Sequence, residues 1–146
     1  HDAKEPCGYT VEMSNGRKIA VATDLGVMTD TVFDAISGAD LVMLESNHDE
    51  GMLRNGAYPY YLKRRILSDV GHLSNDSCAN AVTELFKSGS TRFFLGHLSK
   101  DNNFPELAFQ GRFFFFHCTG AAGMAVLSCR ELTPLLSVRT NEVLLY

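Results

Sequence analysis

A chain of 146 residues with 45% hydrophobic and 21% charged side chains is sized and composed for one folded unit with a sizeable core, which excludes a disordered or collagenous segment. Thirteen Lys and Arg against seventeen Asp and Glu give a net charge of -4, so only a local basic patch, not overall charge, would draw it to nucleic acid or anionic membrane. Four irregularly spaced cysteines, Cys7, Cys78, Cys118 and Cys129, form neither a CxxC pair nor a disulfide framework, which fits a reducing cytoplasm.

The chain opens His1-Asp2-Ala3 without a Met, a basic n-region or an apolar h-region, so it is expected to begin inside a longer protein. Cys7 to Met13 alternates apolar and polar residues, Ser14-Asn15-Gly16 supplies turn chemistry, and Arg17 to Thr23 resumes with Ile19 and Val21, which predicts a β-hairpin. Thr29 then caps a helix through Ser37 whose Val32, Phe33 and Ile36 share a face, and Gly38 ends it. Asp40 to Glu45 predicts a buried strand, because Leu41 to Leu44 is continuously apolar.

Asn47 to Gly56 reads as loop with a helical turn, and Pro59 as the first residue of a helix to about Ser68. Ser74 caps a helix with an acidic first turn, an inward stripe of Ala79, Val82, Leu85 and Phe86, and an end near Gly89. Thr91 to Leu95 is another apolar strand, Gly96-His97-Leu98-Ser99 a loop at its end, and Pro105 opens a short helix. Beyond Gln110, Phe113 to Phe116 and the Gly/Ala-rich stretch after it show no clean period, and a buried strand and an apolar helix fit equally. No apolar run approaches the roughly 18 to 20 residues that span a bilayer. Strands alternating with helices after a hairpin predict an α/β fold with helices packed on a mixed sheet.

Four histidines and an aspartate fall at connections or strand ends: His1, Asp24, His48, His72 and His97. Loops leaving the strand ends of an open α/β sheet line one edge, where residues distant in sequence converge. Imidazole and carboxylate together suit zinc, manganese or iron, and a carboxylate can bridge two ions. Structural alternatives stand beside each: Asp24 as a turn or cap before Gly26, His72 and His97 as satisfied, partly buried histidines. His117, after four phenylalanines, reads as core, and Cys7 and Cys78 as small hydrophobes. No GxSxG elbow, catalytic-cysteine signature, P-loop or GxGxxG occurs, so metal chemistry is the reading the residues support best. Tyr58, Tyr60 and Tyr61 beside Lys63, Arg64 and Arg65 offer stacking and phosphate pairing to a strand end, or equally a solvated basic helix face.

The segments His1-Asp2-Ala3-Lys4-Glu5-Pro6-Cys7-Gly8-Tyr9, Ala22-Thr23-Asp24-Leu25-Gly26, Leu44-Glu45-Ser46-Asn47-His48-Asp49, Gly71-His72-Leu73-Ser74-Asn75 and Gly96-His97-Leu98-Ser99-Lys100-Asp101-Asn102-Asn103 come in a telling order and spacing. Over roughly residues 1–108 they resemble the second half of metallo-β-lactamase-fold hydrolases. Within that superfamily they are similar to the WalJ/YycJ-like bacterial branch, whose relatives include tRNA 3′-processing endonucleases and other nucleic-acid phosphodiesterases. The resemblance implies half of an αββα sandwich, a mixed sheet with flanking helices, and a site for two divalent metal ions, zinc or manganese, at one edge. It implies an exonuclease-like hydrolase in which a metal-held hydroxide attacks the nucleic-acid backbone.

Carried over residue by residue, the resemblance makes His1, Asp24 and His97 metal ligands, with Asp24 bridging. His72 resembles the non-ligand histidine of the GHS-type segment, a catalytic residue that positions or protonates the leaving group. Glu45, Asn47 and His48 support the site, and Lys63, Arg64 and Arg65 bind the nucleic-acid substrate.

The family's H-x-H-x-D-H signature, which supplies most first-site ligands, occurs nowhere in this sequence. Residues 1–146 are therefore expected to be a single domain, the carboxyl-terminal portion of the fold, inactive alone and exposing one sheet face to a missing amino-terminal half. After Gln110 the chain departs from the family's amphipathic helix, while Ser137-Val138-Arg139 and Asn141-Glu142-Val143 resemble its last strand, a pattern expected of a local sequence fault between residues 111 and 136. Two other readings stay open: a catalytically inactive structural or interaction fragment, and a thioester or lactam hydrolase on the same scaffold.

Overall fold

The computed structural model describes residues 6–110 and the strand Ala125–Ser128. His1, His117, the run of phenylalanines from Phe113, and the cysteines Cys118 and Cys129 lie outside the described residues. The elements follow the predicted alternation: β1 (Tyr9–Glu12), β2 (Lys18–Ala22), α1 (Asp30–Ile36), β3 (Leu41–Glu45), α2 (Glu50–Asn55), α3 (Tyr60–Ile66), α4 (Asn75–Lys87), β4 (Arg92–Gly96), α5 (Pro105–Gln110) and β5 (Ala125–Ser128). They form one mixed sheet in the order β1-β2-β3-β4-β5, with β1 antiparallel to β2 and every other pair parallel.

Local chemistry sets the boundaries. Gly16, at φ 80°, closes the hairpin with its N–H on the Met13 carbonyl, a left-handed position where a Cβ would be strained. Thr29 and Ser74 cap α1 and α4 through their hydroxyls, as their positions predict. Two boundaries differ from expectation. Asp49 accepts from the Met52 N–H at 2.7 Å and extends the helical turn expected within the loop after Asn47 into the six-residue helix α2. Pro59 stands at the cap of α3 rather than inside it, and the helix ends at Ile66, where Leu67 takes the C-cap.

The core lies on one face of the sheet. Ala20 and Ala22 of β2, Val42 and Leu44 of β3, and Phe93 and Leu95 of β4 are fully buried against Ile36 of α1, Val82 and Leu85 of α4, and Ala108 of α5. Cys78 sits in that core as the small hydrophobe expected, and burial pushes its thiol up to about 12. Strand periodicity puts Ile19, Val21, Leu41, Met43 and Phe94 on the opposite face, where they are only partly covered, and β1 extends it with Tyr9 and Val11, 67% and 57% exposed. Among the described residues no helix is long and apolar enough to cross a membrane.

Candidate metal centre

Because β2, β3 and β4 are adjacent and parallel, their carboxyl ends open on one edge, and each delivers a polar residue there. Asp24 follows β2, Glu45 ends β3, His97 follows β4, and His72 enters from the connection before α4. Asp24 and His97 both have left-handed backbones, φ 60° and 54°. Non-glycine residues at such angles cost on the order of 1–3 kcal/mol and persist where the surroundings hold them, a pattern that marks functional sites.

Glu45 organises the cluster. Its side chain is fully buried, Oε1 lies 2.7 Å from Nδ1 of both His72 and His97, and Oε2 accepts the Leu25 N–H at 2.7 Å. Burial alone would raise the Glu45 carboxyl, but hydrogen bonds from His72, His97 and the Leu25 backbone hold it below its ordinary value. An ionised carboxylate only accepts, so each Nδ1 carries a proton and each neutral ring keeps its lone pair at Nε2. The hydrogen bond to Glu45 raises the pKa of His97 against the opposing effect of burial, and the charges of Glu45 and Asp24 add to it.

One carboxylate oxygen of Asp24 lies 3.8 Å from both Nδ1 atoms, and ligand atoms of Asp24, His72 and His97 all lie within 4.8 Å of one another. Two imidazoles oriented by a buried carboxylate, beside a second carboxylate, are a donor set that fits a divalent ion. The structure thus gathers Asp24, His72 and His97, and it places His72 inside the same cluster as Asp24 and His97, two of the three residues expected to be ligands, the third, His1, lying outside the described residues.

The supporting residues differ in what they touch. Asn47 donates from Nδ2 to the His97 carbonyl at 2.9 Å, while its backbone joins Leu73 and Ser99, so it ties the two histidine loops together. His48 is buried beneath them with neither ring nitrogen bonded among the described residues, and desolvation lowers its pKa, which keeps it neutral. Of the three expected substrate cations, Lys63 donates to the carbonyls of Arg54 and Gly56 at 2.8 and 2.7 Å, and Arg64 lies 6.0 Å over the Tyr60 ring. Arg65 lines a cleft of about 450 Å³ that also contains His72 and His97.

Asn75 and Asn103, quoted within the motifs but given no role there, make the buried clamp under the site. Asn103 Nδ2 reaches the Ser46 and Asn47 carbonyls and Asn75 Oδ1 at 2.8, 3.1 and 2.9 Å, and Ser46 Oγ donates to Asn75 Oδ1 at 2.7 Å. Asn75 opens α4 and Asn103 follows β4, each shortly after a Gly-His-Leu-Ser segment, and that repeated segment was the available signal. Each buried polar group left without its partner there would cost about 1–3 kcal/mol.

Residues 1–98 match the family described as the beta-lactamase superfamily domain. The chain is 47% identical over 108 residues to "Exodeoxyribonuclease YycJ" of Bacillus anthracis, and 42% identical over 108 residues to "Exodeoxyribonuclease WalJ" of Streptococcus pneumoniae serotype 2 (strain D39 / NCTC 7466). Each match covers 74% of this chain and 40% of the relative, so the chain spans about two fifths of the length of these proteins. Among solved structures it is similar to human tRNase Z, short form, at TM-score 0.48 and 19% identity, covering 84% of this chain and 34% of that one. A diphosphatase from the PhnP family aligns at TM-score 0.42 and 16% identity, covering 74% and 31%.

Proposed function

Since this chain belongs to the β-lactamase superfamily, we propose that it contributes the carboxyl-terminal part of a metal-dependent exonuclease that hydrolyses phosphodiester bonds in DNA. The observation that carries this reading is the meeting of Asp24, His72 and His97 around the buried carboxylate of Glu45. Two relatives named exodeoxyribonucleases support the substrate class.

In this reading Asp24 and His97 hold divalent metal together with His1 and with donors from an H-x-H-x-D-H segment, which this chain lacks. When bound, such ions supply Lewis acidity and neutralise charge on the phosphoryl oxygens. Glu45 fixes the tautomer of both histidines, so that Nε2 of His97 is a donor to metal. Nε2 of His72 takes up a proton and gives it to the departing oxygen. Asn47 holds the His97 backbone, His48 fills the space beneath, and Arg65 meets the substrate backbone, with Lys63 and Arg64 on the same helix flanking it. The partly covered sheet face, with Tyr9 and Val11 exposed, is the surface on which the other half of a sandwich would pack.

The test is hydrolysis of end-labelled DNA by a polypeptide that also carries the H-x-H-x-D-H half, with metal content measured in parallel. Asp24→Ala and His97→Ala are each expected to abolish hydrolysis and lower bound metal, while His117→Ala leaves both nearly unchanged. Equal activity in all three variants refutes the assignment. Turnover of a thioester or lactam with no cleavage of DNA moves the chemistry to the other hydrolase class, and metal binding without any turnover leaves a structural or interaction role.

A further inference from the structure

Asp24 keeps its left-handed backbone at φ 60°, a conformation that a residue with a Cβ holds where its surroundings over-determine it. One anchor is the next residue, Leu25, whose N–H goes to Glu45 Oε2 at 2.7 Å. The second stands one residue further on. A Cβ on Gly26 would fall on the carbonyl carbon and oxygen of Asp69 and on the carbonyl oxygen of Ser68, so the turn after α3 lies directly against the Asp24 loop. Gly26 is not among the glycines with a left-handed backbone, so alanine could adopt its φ, and the missing Cβ serves this close approach.

That turn is tightly bonded within itself. Ser68 donates its N–H at 3.1 Å and its hydroxyl at 2.7 Å to the Arg65 carbonyl, the Gly71 N–H reaches the Ser68 carbonyl at 2.8 Å, and the His72 N–H reaches the Ile66 carbonyl at 3.0 Å. Gly71 makes a matching close approach to the Arg65 and Ile66 carbonyls. Residues 67–71 are thus a hydrogen-bonded spacer that leads into His72 and carries the Asp24 loop on its middle. Loops that meet through backbone atoms have no side-chain rotamer to absorb a change in separation, so added bulk must push them apart. Their separation sets where the Asp24 carboxylate, with one oxygen 3.8 Å from His72 Nδ1, stands relative to that imidazole.

We propose that Gly26 is a positioning residue of the metal centre: it lets the Ser68–Asp69 backbone lie against the Asp24 loop, which holds Asp24 in its strained conformation and fixes its carboxylate relative to His72. The proposal rests on the metal-dependent reading for its chemistry. It deepens that reading by naming a residue without a donor side chain that decides how a donor is presented.

The test uses the polypeptide that also carries the H-x-H-x-D-H half, and two variants of it. Gly26→Ala adds bulk at the contact, whereas Asp69→Gly combined with Val70→Gly, both at exposed positions, loosens the turn without emptying the core. In EDTA the Cα and Cβ NMR shifts of Asp24, which report its left-handed backbone, are expected to move toward ordinary values in both variants, while those of Phe93 in the core stay in place. Zinc, followed by chelator competition on the folded proteins, should bind about tenfold more weakly to Gly26→Ala, the loss typical when a residue behind a metal ligand is changed. Val82→Ala, which opens a cavity in the core, should lower the melting temperature and leave the Asp24 shifts and the zinc affinity at parent values. Unmoved Asp24 shifts in folded Gly26→Ala, or moved shifts with parent zinc affinity, overturn the proposal, and if Gly26→Ala does not fold the loosened turn decides on the same two readouts. Both effects in a protein that never hydrolyses DNA leave Gly26 its role and remove the nuclease reading. DNA hydrolysis that Asp24→Ala abolishes and Gly26→Ala leaves at the parent kcat, with unmoved shifts, removes the role and leaves the nuclease.

Discussion

The rings of His72 and His97 stand 5.2 Å apart at 63°, edge toward face, because each gives its Nδ1 proton to the same oxygen of Glu45. A single carboxylate thus sets the tautomer and the mutual angle of two side chains that arrive from different loops. Glu45→Gln keeps the shape but removes the charge and replaces one acceptor oxygen by a donor. The expected result is a 10- to 100-fold loss of metal affinity, on the order seen when a carboxylate behind a ligating histidine is removed, measured by chelator competition. Glu45→Ala should in addition lower stability by about 1–3 kcal/mol, because two imidazole N–H groups and the Leu25 N–H lose their acceptor.

Acid and base should act on the same trio in opposite directions. The folded-state pKa of Glu45 lies below its ordinary value, so its contribution to stability is present above about 4.5 and is lost as pH falls through the folded value. That of His97 lies above its ordinary value, so its contribution is full below about 6.5 and is lost as pH rises through the folded value. Thermal unfolding of the metal-free chain is expected to show both contributions together between these two values. Glu45→Gln should flatten the curve on both sides, and an unchanged pH profile in that variant would contradict the coupling.

Gly71 is a packing requirement rather than a flexible joint. A Cβ there would fall on the Ile66 and Arg65 carbonyls, which are backbone atoms with little room to move. Gly71→Ala is expected to cost about 1–3 kcal/mol, the usual range for overpacking, and to displace His72. Denaturant melts measure the first effect, and histidine ring NMR shifts the second.

Asp24 offers the reverse case. Its left-handed backbone is strained for any residue with a Cβ, so Asp24→Gly should stabilise the metal-free chain by about 1 kcal/mol. The same change should remove a metal donor. Melts in EDTA, together with metal titration, would show stability and metal affinity moving apart.

Much of the scaffold was legible in the chain. The apolar runs Leu41 to Leu44 and Phe93 to Leu95 mark the parallel strands, and Ser74 marks the start of α4. The helix α2 was harder, because Asn47 to Gly56 carries no apolar stripe and its start depends on one side-chain cap from Asp49. Asp24, His72 and His97 could be suspected from their places at strand ends and loops, but the part Glu45 plays depends on which oxygen meets which ring nitrogen, and spacing along the chain does not encode that. Nor could Lys63, Arg64 and Arg65 be told apart, since neighbours on a helix point about 100° from one another and only the seat of α3 decides which of them turns toward the cleft.

The three strands that deliver Asp24, Glu45 and His97 at their carboxyl ends are immediate neighbours. Amide ladders keep adjacent strands about 4.8 Å apart, so a repeating backbone gauge governs the pitch of the donors, whatever the size of the side chains in the helical layer. Trimming a methylene from Leu85 or Val82 should therefore loosen the helices long before it changes the bite of the site. Ligand geometry of this kind can outlast considerable drift in the core beneath it.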